Sequence, residues 1–231
     1  MAQLAIPPLE IAAASTTDQV FDALYDAIVS LKLEPGAKVS ESEIAAQLNV
    51  SRQPVRDVFF RLSKLGLIAI RPQRATLVTR ISEAALVEAV FVRTALEVEC
   101  LRAVIAAGRA EDVAAFRREI AAQERAAADP EAGPFHALDE AFHAQICTRA
   151  GHPHAWALIR DQKAHMDRVR YLTLSLERRQ FVLEEHRGIV DAIAAGEAAL
   201  ADARLRAHLG GVLDVVGRIR DGNPEYFEPP A

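Results

Sequence analysis

The chain has 231 residues, 51% hydrophobic and 26% charged, with a formal net charge of −5. That balance excludes a disordered or fibrous chain, and few aromatics among abundant alanine and leucine lean towards helix. Pro7, Pro8 and Glu10 interrupt the apolar N-terminus, so no signal peptide or membrane span is expected, and Cys100 and Cys147 lack any CxxC spacing, which fits a reducing cytoplasm.

Residues 1–16 read as a flexible arm. Val20, Leu24, Ile28 and Leu31 then form one apolar face of a helix from Thr17 to Leu31, and Glu34-Pro35-Gly36 ends it. Ser40-Glu41-Ser42-Glu43 has the spacing of a capping box for a short helix over 41–48. Asn49-Val50 turns the chain, and Ser51 is placed to cap a third helix that runs to Leu65 before Gly66. Residues 67–71 and 76–78 are short β-prone runs flanking Pro72-Gln73-Arg74-Ala75, the pattern of a hairpin.

Three helices with a tight turn before the third, followed by a hairpin, describe a winged helix-turn-helix over 17–80. The third helix buries Val55, Val58, Phe59 and Leu62 and carries Ser51, Arg52, Gln53 and Arg56 at its N-terminal end. Free amides there favour phosphate, and an arginine fork can donate two bonds to guanine. Arg74, at the hairpin tip, is expected on phosphate or in the minor groove. Residues 18–80 carry net +2 and residues 81–231 net −6, compatible with double-stranded DNA as partner of the first segment alone.

From Ser82 the pattern is all helical, with six helices expected near 83–107, 111–127, 134–150, 153–175, 178–195 and 197–219, and a loose tail over 221–231. Asp139 and His143 lie within the stripe Phe135, Leu138, Phe142, Ile146; His186 lies among Val182, Leu183, Ile189 and Val190; His208 lies between Leu205 and Val212. Polar groups in apolar stripes need partners. One carboxylate and three imidazoles suit a divalent transition ion, zinc first, with nickel or manganese as alternatives. Hydrogen bonding among the four around water is the competing account.

The stretch PGAKVSESEIAAQLNVSRQPVRDVFFRLSKLGLIAIRPQRATLV closely resembles the N-terminal domain of GntR-family bacterial transcription regulators, and the rest of the chain resembles the helical effector domain of its FadR-type branch. Six rather than seven helices point to the VanR-like subgroup. The resemblance implies a mainly α fold, a winged helix-turn-helix followed by an all-α six-helix bundle over 81–220, and a homodimer that reads a pseudo-palindromic operator. It also implies metal ligands matching Asp139, His143, His186 and His208. Ser42 stands where the family often has arginine, and Ala75 where the wing usually has glycine.

A small carboxylate or hydroxy-acid effector is expected near the metal, held by Arg93, Arg168 and His165. Arg93 could instead form a surface pair with Glu97. The expected function is a ligand-responsive regulator, a repressor of a catabolic operon. A metal-dependent enzyme with an appended DNA-binding module is the alternative. It lacks a second Glu-x-x-His to join Glu140-x-x-His143, and any His-Glu-x-x-His.

Overall fold

The computed structural model describes residues 15–71, 75–129 and 131–229. Ser15 caps α1 (Thr16–Val29), its hydroxyl accepting from the Asp18 amide at 3.2 Å. Of the expected arm, then, the two described residues, Ser15 and Thr16, belong to the start of this helix. β1 (Lys38–Val39) precedes α2 (Glu41–Gln47) and α3 (Arg52–Lys64), with Asn49 at φ +53° in the turn and Gly66 at φ +71° after α3. β2 (Ile68–Ala69) and β3 (Thr76–Val78) pair antiparallel, Ile68 opposite Val78. β1 adds to the far side of β3, so the expected hairpin is part of a three-stranded sheet, order β1-β3-β2. Val20, Leu24, Ile28, Val55, Phe59, Leu62 and Leu67 make its core.

Neither expected serine cap forms on α2 or α3. Ser40 and Ser51 have the extended backbone of an N-cap, yet neither side chain bonds the helix; the Ser40 hydroxyl meets that of Ser42 at 2.8 Å.

The C-terminal domain contains α4 (Glu83–Ala107), α5 (Ala110–Ala127), α6 (Ala132–Arg149), α7 (Pro153–Gln162), α8 (Ala164–Thr173), α9 (Leu176–Ala195), α10 (Ala198–Gly210) and α11 (Leu213–Gly222). The six expected helices are thus eight segments, because two rods break. The rod over 153–175 breaks at Lys163, whose φ of −88° and ψ of 1° leave the α region while its ammonium enters the interior between Glu140 and Asp167. The last rod breaks at Gly210-Gly211, where two poor helix formers adjoin. Ser175 supplies the stop between α8 and α9 that the sequence reading lacked: its hydroxyl caps α9. Leu101, Phe116, Phe135, Phe142, Ile146, Leu183, Ile189 and Leu205 fill the core.

Of the tail expected to be loose, residues 221–229 are described, and Phe227 within them is buried. After α11, Pro224–Tyr226 form a 3₁₀ turn, and Phe227 pairs with Ile81 in a parallel bridge, Ile81 N donating to Tyr226 O (2.7 Å) and Glu228 N to Ile81 O (3.0 Å). Phe227 is buried with Ile81, Met166, Val169 and Val216, so the tail straps the linker between the domains. Among the described residues no helix is long and apolar enough to cross a membrane.

Candidate metal centre and nucleic-acid interface

α6 places Asp139 and His143 one turn apart; α9 and α10 bring His186 and His208 against them. One ligand atom from each lies within 4.8 Å of the others, and all four residues are buried. His208 Nε2 is 3.2 Å from both His143 Nε2 and His186 Nε2, and Asp139 Oδ1 is 3.7 Å from His186 Nε2. Phe142 stacks on the His186 ring at 4.3 Å.

The opposite edge of each imidazole decides what these atoms can do. His143 Nδ1 donates to Glu97 Oε2 (2.6 Å), His186 Nδ1 to Gln123 Oε1 (2.7 Å) and His208 Nδ1 to Glu185 Oε2 (3.0 Å). Gln123 is oriented by its own amide donating to Leu138 O, so its oxygen faces His186. With the proton on Nδ1, a neutral His143 or His186 ring presents its Nε2 lone pair to the site. Burial, and then Arg93, hold the His143 imidazolium form down, to a pKa of about 4; burial and His208 push His186 well below its ordinary value. Burial opposes ionisation of Asp139, but the Arg170 guanidinium bonded to it outweighs that and keeps the carboxyl well below its ordinary range. Asp139 Oδ1 is buried and has no hydrogen-bond partner. Three imidazole Nε2 atoms and one carboxylate oxygen therefore converge on one place, with each Nδ1 engaged outside it. That donor set fits a divalent transition ion.

Glu97, Gln123 and Glu185 are functional residues that sequence reasoning missed. Arg93 and Glu97 do pair, Nε to Oε1 at 2.5 Å, but as a buried pair with side chains 3% and 0% exposed rather than on the surface. Arg93 holds Glu97 ionised, at a pKa of about 2 against the opposing effect of burial, and Glu97 in turn orients His143.

A cavity of about 30 Å³ adjoins His208, lined among others by Arg93, Arg170, Thr173 and Arg178. It has room for little more than a water, so a larger ligand requires its walls to part. Arg93 Nη2 is buried without a partner. Of the three residues expected to hold an effector, only Arg93 lines this space. Arg168 and His165 face the domain junction: Arg168 Nη1 donates to Thr79 O (2.7 Å) and its Nη2 meets His165 Nδ1 (2.7 Å), which also accepts from Ser82 N (3.0 Å). The break at Lys163 sets the turn of α8 so that Arg170, two residues on, takes the cavity side. His136, Glu140 and Asp167 form a second cluster of ligand-type groups. The Lys163 ammonium bonds both of its carboxylates and already supplies a cation there.

On the N-terminal domain, Arg52 and Arg56 stand exposed on the first turns of α3, 63% and 59% for their side chains. Both point at one oxygen, Glu41 Oε2 on α2, at 3.8 Å and 3.3 Å. Gln53 donates to Asp57 (2.9 Å), one turn on, and Ser51 is exposed beside them. Arg74 lies outside the described residues. A solvent-facing helix N-terminus carrying two arginines can meet a phosphate with its amides and base edges with its guanidinium groups.

The family profile described as "Bacterial regulatory proteins, gntR family" matches residues 16–78, and that described as "FCD domain" matches residues 88–211. An HTH-type transcriptional regulator from an unstable DNA locus of Streptomyces ambofaciens is 36% identical, over 92% of this chain and 89% of its own. The Escherichia coli K12 transcriptional repressor RspR is 31% identical over 90% and 92%. Among solved structures, a GntR regulator from Rhodococcus sp. RHA1 superimposes with a TM-score of 0.74 at 25% identity, covering 88% of this chain and 99% of that one. E. coli McbR/YncC shares the fold with a TM-score of 0.77 at 20% identity, covering 89% and 99%. With both profiles matched in their expected order, the chain belongs to the GntR family of transcription regulators, a helix-turn-helix DNA-binding domain joined to a ligand-binding FCD effector domain.

Proposed function

We propose that the protein is a cytoplasmic, homodimeric repressor whose operator affinity responds to a small carboxylate or hydroxy acid bound beside a divalent metal ion. The observation that carries this reading is the convergence of ligand atoms: three imidazole Nε2 atoms and the unpartnered Asp139 Oδ1 in one buried place. Asp139, His143, His186 and His208 would hold the ion. Glu97, Gln123 and Glu185 fix the ring orientations and keep the Nδ1 protons away from the site. When bound, the ion supplies Lewis-acid positions that an oxygen ligand can fill; zinc suits the three-imidazole, one-carboxylate set, as do nickel and manganese. Arg93 and Arg170 present guanidinium groups to the adjoining cavity, and Arg178 and Thr173 extend its polar rim. A carboxylate there finds bidentate donors in a setting of low dielectric.

Arg52, Gln53 and Arg56 on α3, Ser51 at its cap, and Arg74 on the wing are the proposed DNA contacts. Two copies related by a two-fold axis would place two such helices in successive major grooves of a pseudo-palindrome. Repression is favoured over activation by the names of two relatives, RspR and a probable D-xylose utilization operon repressor of Paenarthrobacter nicotinovorans, 32% identical over 90% of this chain. An effector shifts DNA affinity only by the difference between its affinities for the two domain arrangements.

Elemental analysis of the purified protein, with an Asp139→Ala control, tests the metal. About one transition ion per chain, lost in the control, is the expected result. A metal-free wild type, with the control equally folded, would refute the site.

A further inference from the structure

A line of buried charges of alternating sign leaves the donor cluster and ends in the DNA-binding domain. Asp139 accepts from Arg170, whose other nitrogen donates to Glu140 Oε1 (3.2 Å); Glu140 accepts from Lys163; Lys163 also donates to Asp167; and Asp167 Oδ2 accepts from the Tyr25 hydroxyl on α1 at 3.4 Å. Asp139, Lys163 and Asp167 are each at most 2% exposed. We propose that this chain lets the state of the effector cavity set the placement of α1, which makes Lys163, Asp167 and Tyr25 positioning residues for operator binding. The proposal rests on the reading that the cavity takes the effector.

Three features support it. First, α8 is bounded by the break at Lys163 and by the non-helical Leu174, so it can shift as one short rod. Its Ala164 belongs to the N-terminal domain's core, while Met166, Arg170 and Thr173 line the cavity. Second, α1 is bound firmly to the recognition helix. Val20 and Leu24 share a core with Val55, Phe59 and Leu62; Arg61 pairs with Asp18 (3.0 Å) and lies over the Phe21 ring (4.0 Å). A shift of α1 therefore carries α3 with it. Third, Arg170 is the group with two possible partners. An entering carboxylate competes with Asp139 and Glu140 for its fork. Glu140, released, draws more on Lys163, and Lys163 then holds Asp167 less.

Water screens these steps little, because Asp139, Lys163 and Asp167 are buried and the Arg170 and Glu140 side chains are only 12% and 19% exposed; a buried ion that loses its partner is left at a cost of several kcal/mol. Buried ion pairs are weak sources of net stability, so a chain of them joining two domains calls for another role. Mere lying between two sites does not demonstrate coupling; a double-mutant cycle does.

The test uses full-length protein and an operator duplex recovered from random DNA by selection with the wild type. Dissociation constants are measured for wild type, Asp139→Asn, Tyr25→Phe and the double variant, each checked by a melting curve, with transition-metal content determined on the same samples. We expect Asp139→Asn to change operator affinity about fivefold or more, and that change to shrink to less than about twofold in the Tyr25→Phe background. Effects that multiply independently would overturn the relay. So would a Tyr25→Phe variant that only melts lower, the signature of a purely structural role. If Asp139→Asn is unfolded at the assay temperature, Glu140→Gln takes its place in the cycle. A wild type without any transition metal would refute the metal site, and the cycle would still decide the relay.

Discussion

Replacing Gln123 with leucine probes the proton arrangement on which the metal site depends. In the wild type the Gln123 oxygen takes the His186 Nδ1 proton at 2.7 Å and leaves the Nε2 lone pair facing the site. Leucine has similar bulk and no acceptor. In the metal-free variant the ring can move its proton to Nε2 and donate it towards Asp139 Oδ1, which is 3.7 Å away and unpartnered. The metal-bound variant cannot do this, because the ion needs that lone pair, so its Nδ1–H stays buried and unpaired. The bound state thus loses one hydrogen bond that the free state partly recovers, a difference of about 1–3 kcal/mol. At about 1.4 kcal/mol per factor of ten, zinc affinity falls roughly 10- to 100-fold, as for other residues that orient a ligating histidine. Competition against a chromophoric chelator, with a melting curve to verify folding, measures it. A folded variant with zinc affinity within about threefold of wild type would refute the tautomer argument.

Arg56→Ala should cost about 1–3 kcal/mol of discrimination between operator and mismatched duplex, read by competition binding. Glu41→Gln removes the carboxylate that both recognition arginines face and that phosphates approach, so affinity for non-operator DNA should rise and the specificity ratio fall. Metal-free protein should lose stability as pH falls from 6.5 towards 4. His143 is held to about 4 in the fold against 6.5 when unfolded, so the unfolded chain binds the extra proton across that window; denaturant titrations at several pH values follow the slope, and a flat profile would contradict it. Phe227→Ala should destabilise by about 3–5 kcal/mol in urea unfolding, because the ring is fully buried against Ile81 and Met166.

The sequence made the DNA-binding domain legible almost residue by residue. Its helices are short and one-sided, Gly66 adopts the positive φ expected after a helix, and Asn49 lies in the expected turn. The four candidate metal ligands stood out for a similar reason: each interrupts an apolar stripe, and the structure brings all four together. Their supporting groups were not. Glu97 and Arg93 sit on α4, whose exposed face carries apolar Val87 and Phe91 and so offers no contrast with the buried one, and a buried pair looked like a surface one. Gln123 and Glu185 gain meaning only from the rotation of α5 and α9 about the site. Arg170, which lines the cavity where Arg168 was expected, lies two residues on and so on the opposite side of α8, a rotation that no pattern in 153–175 marks. Phe227 follows Tyr226 in a Pro-rich tail, without periodicity to mark it as core, and its burial accompanies a long-range bridge to Ile81.

The charges buried between the two domains also bear on how far this protein can be stabilised. Well-packed apolar side chains of similar volume often match or exceed the stability of a buried ion pair. Glu140, Lys163 and Asp167, replaced together rather than singly, form a natural target for thermal hardening. If those charges carry the signal, the hardened protein would still fold and bind operator while no longer answering its effector. Selection for heat resistance and selection for inducibility would then pull the same three positions in opposite directions, and a library screened for both would recover few variants that satisfy the two at once.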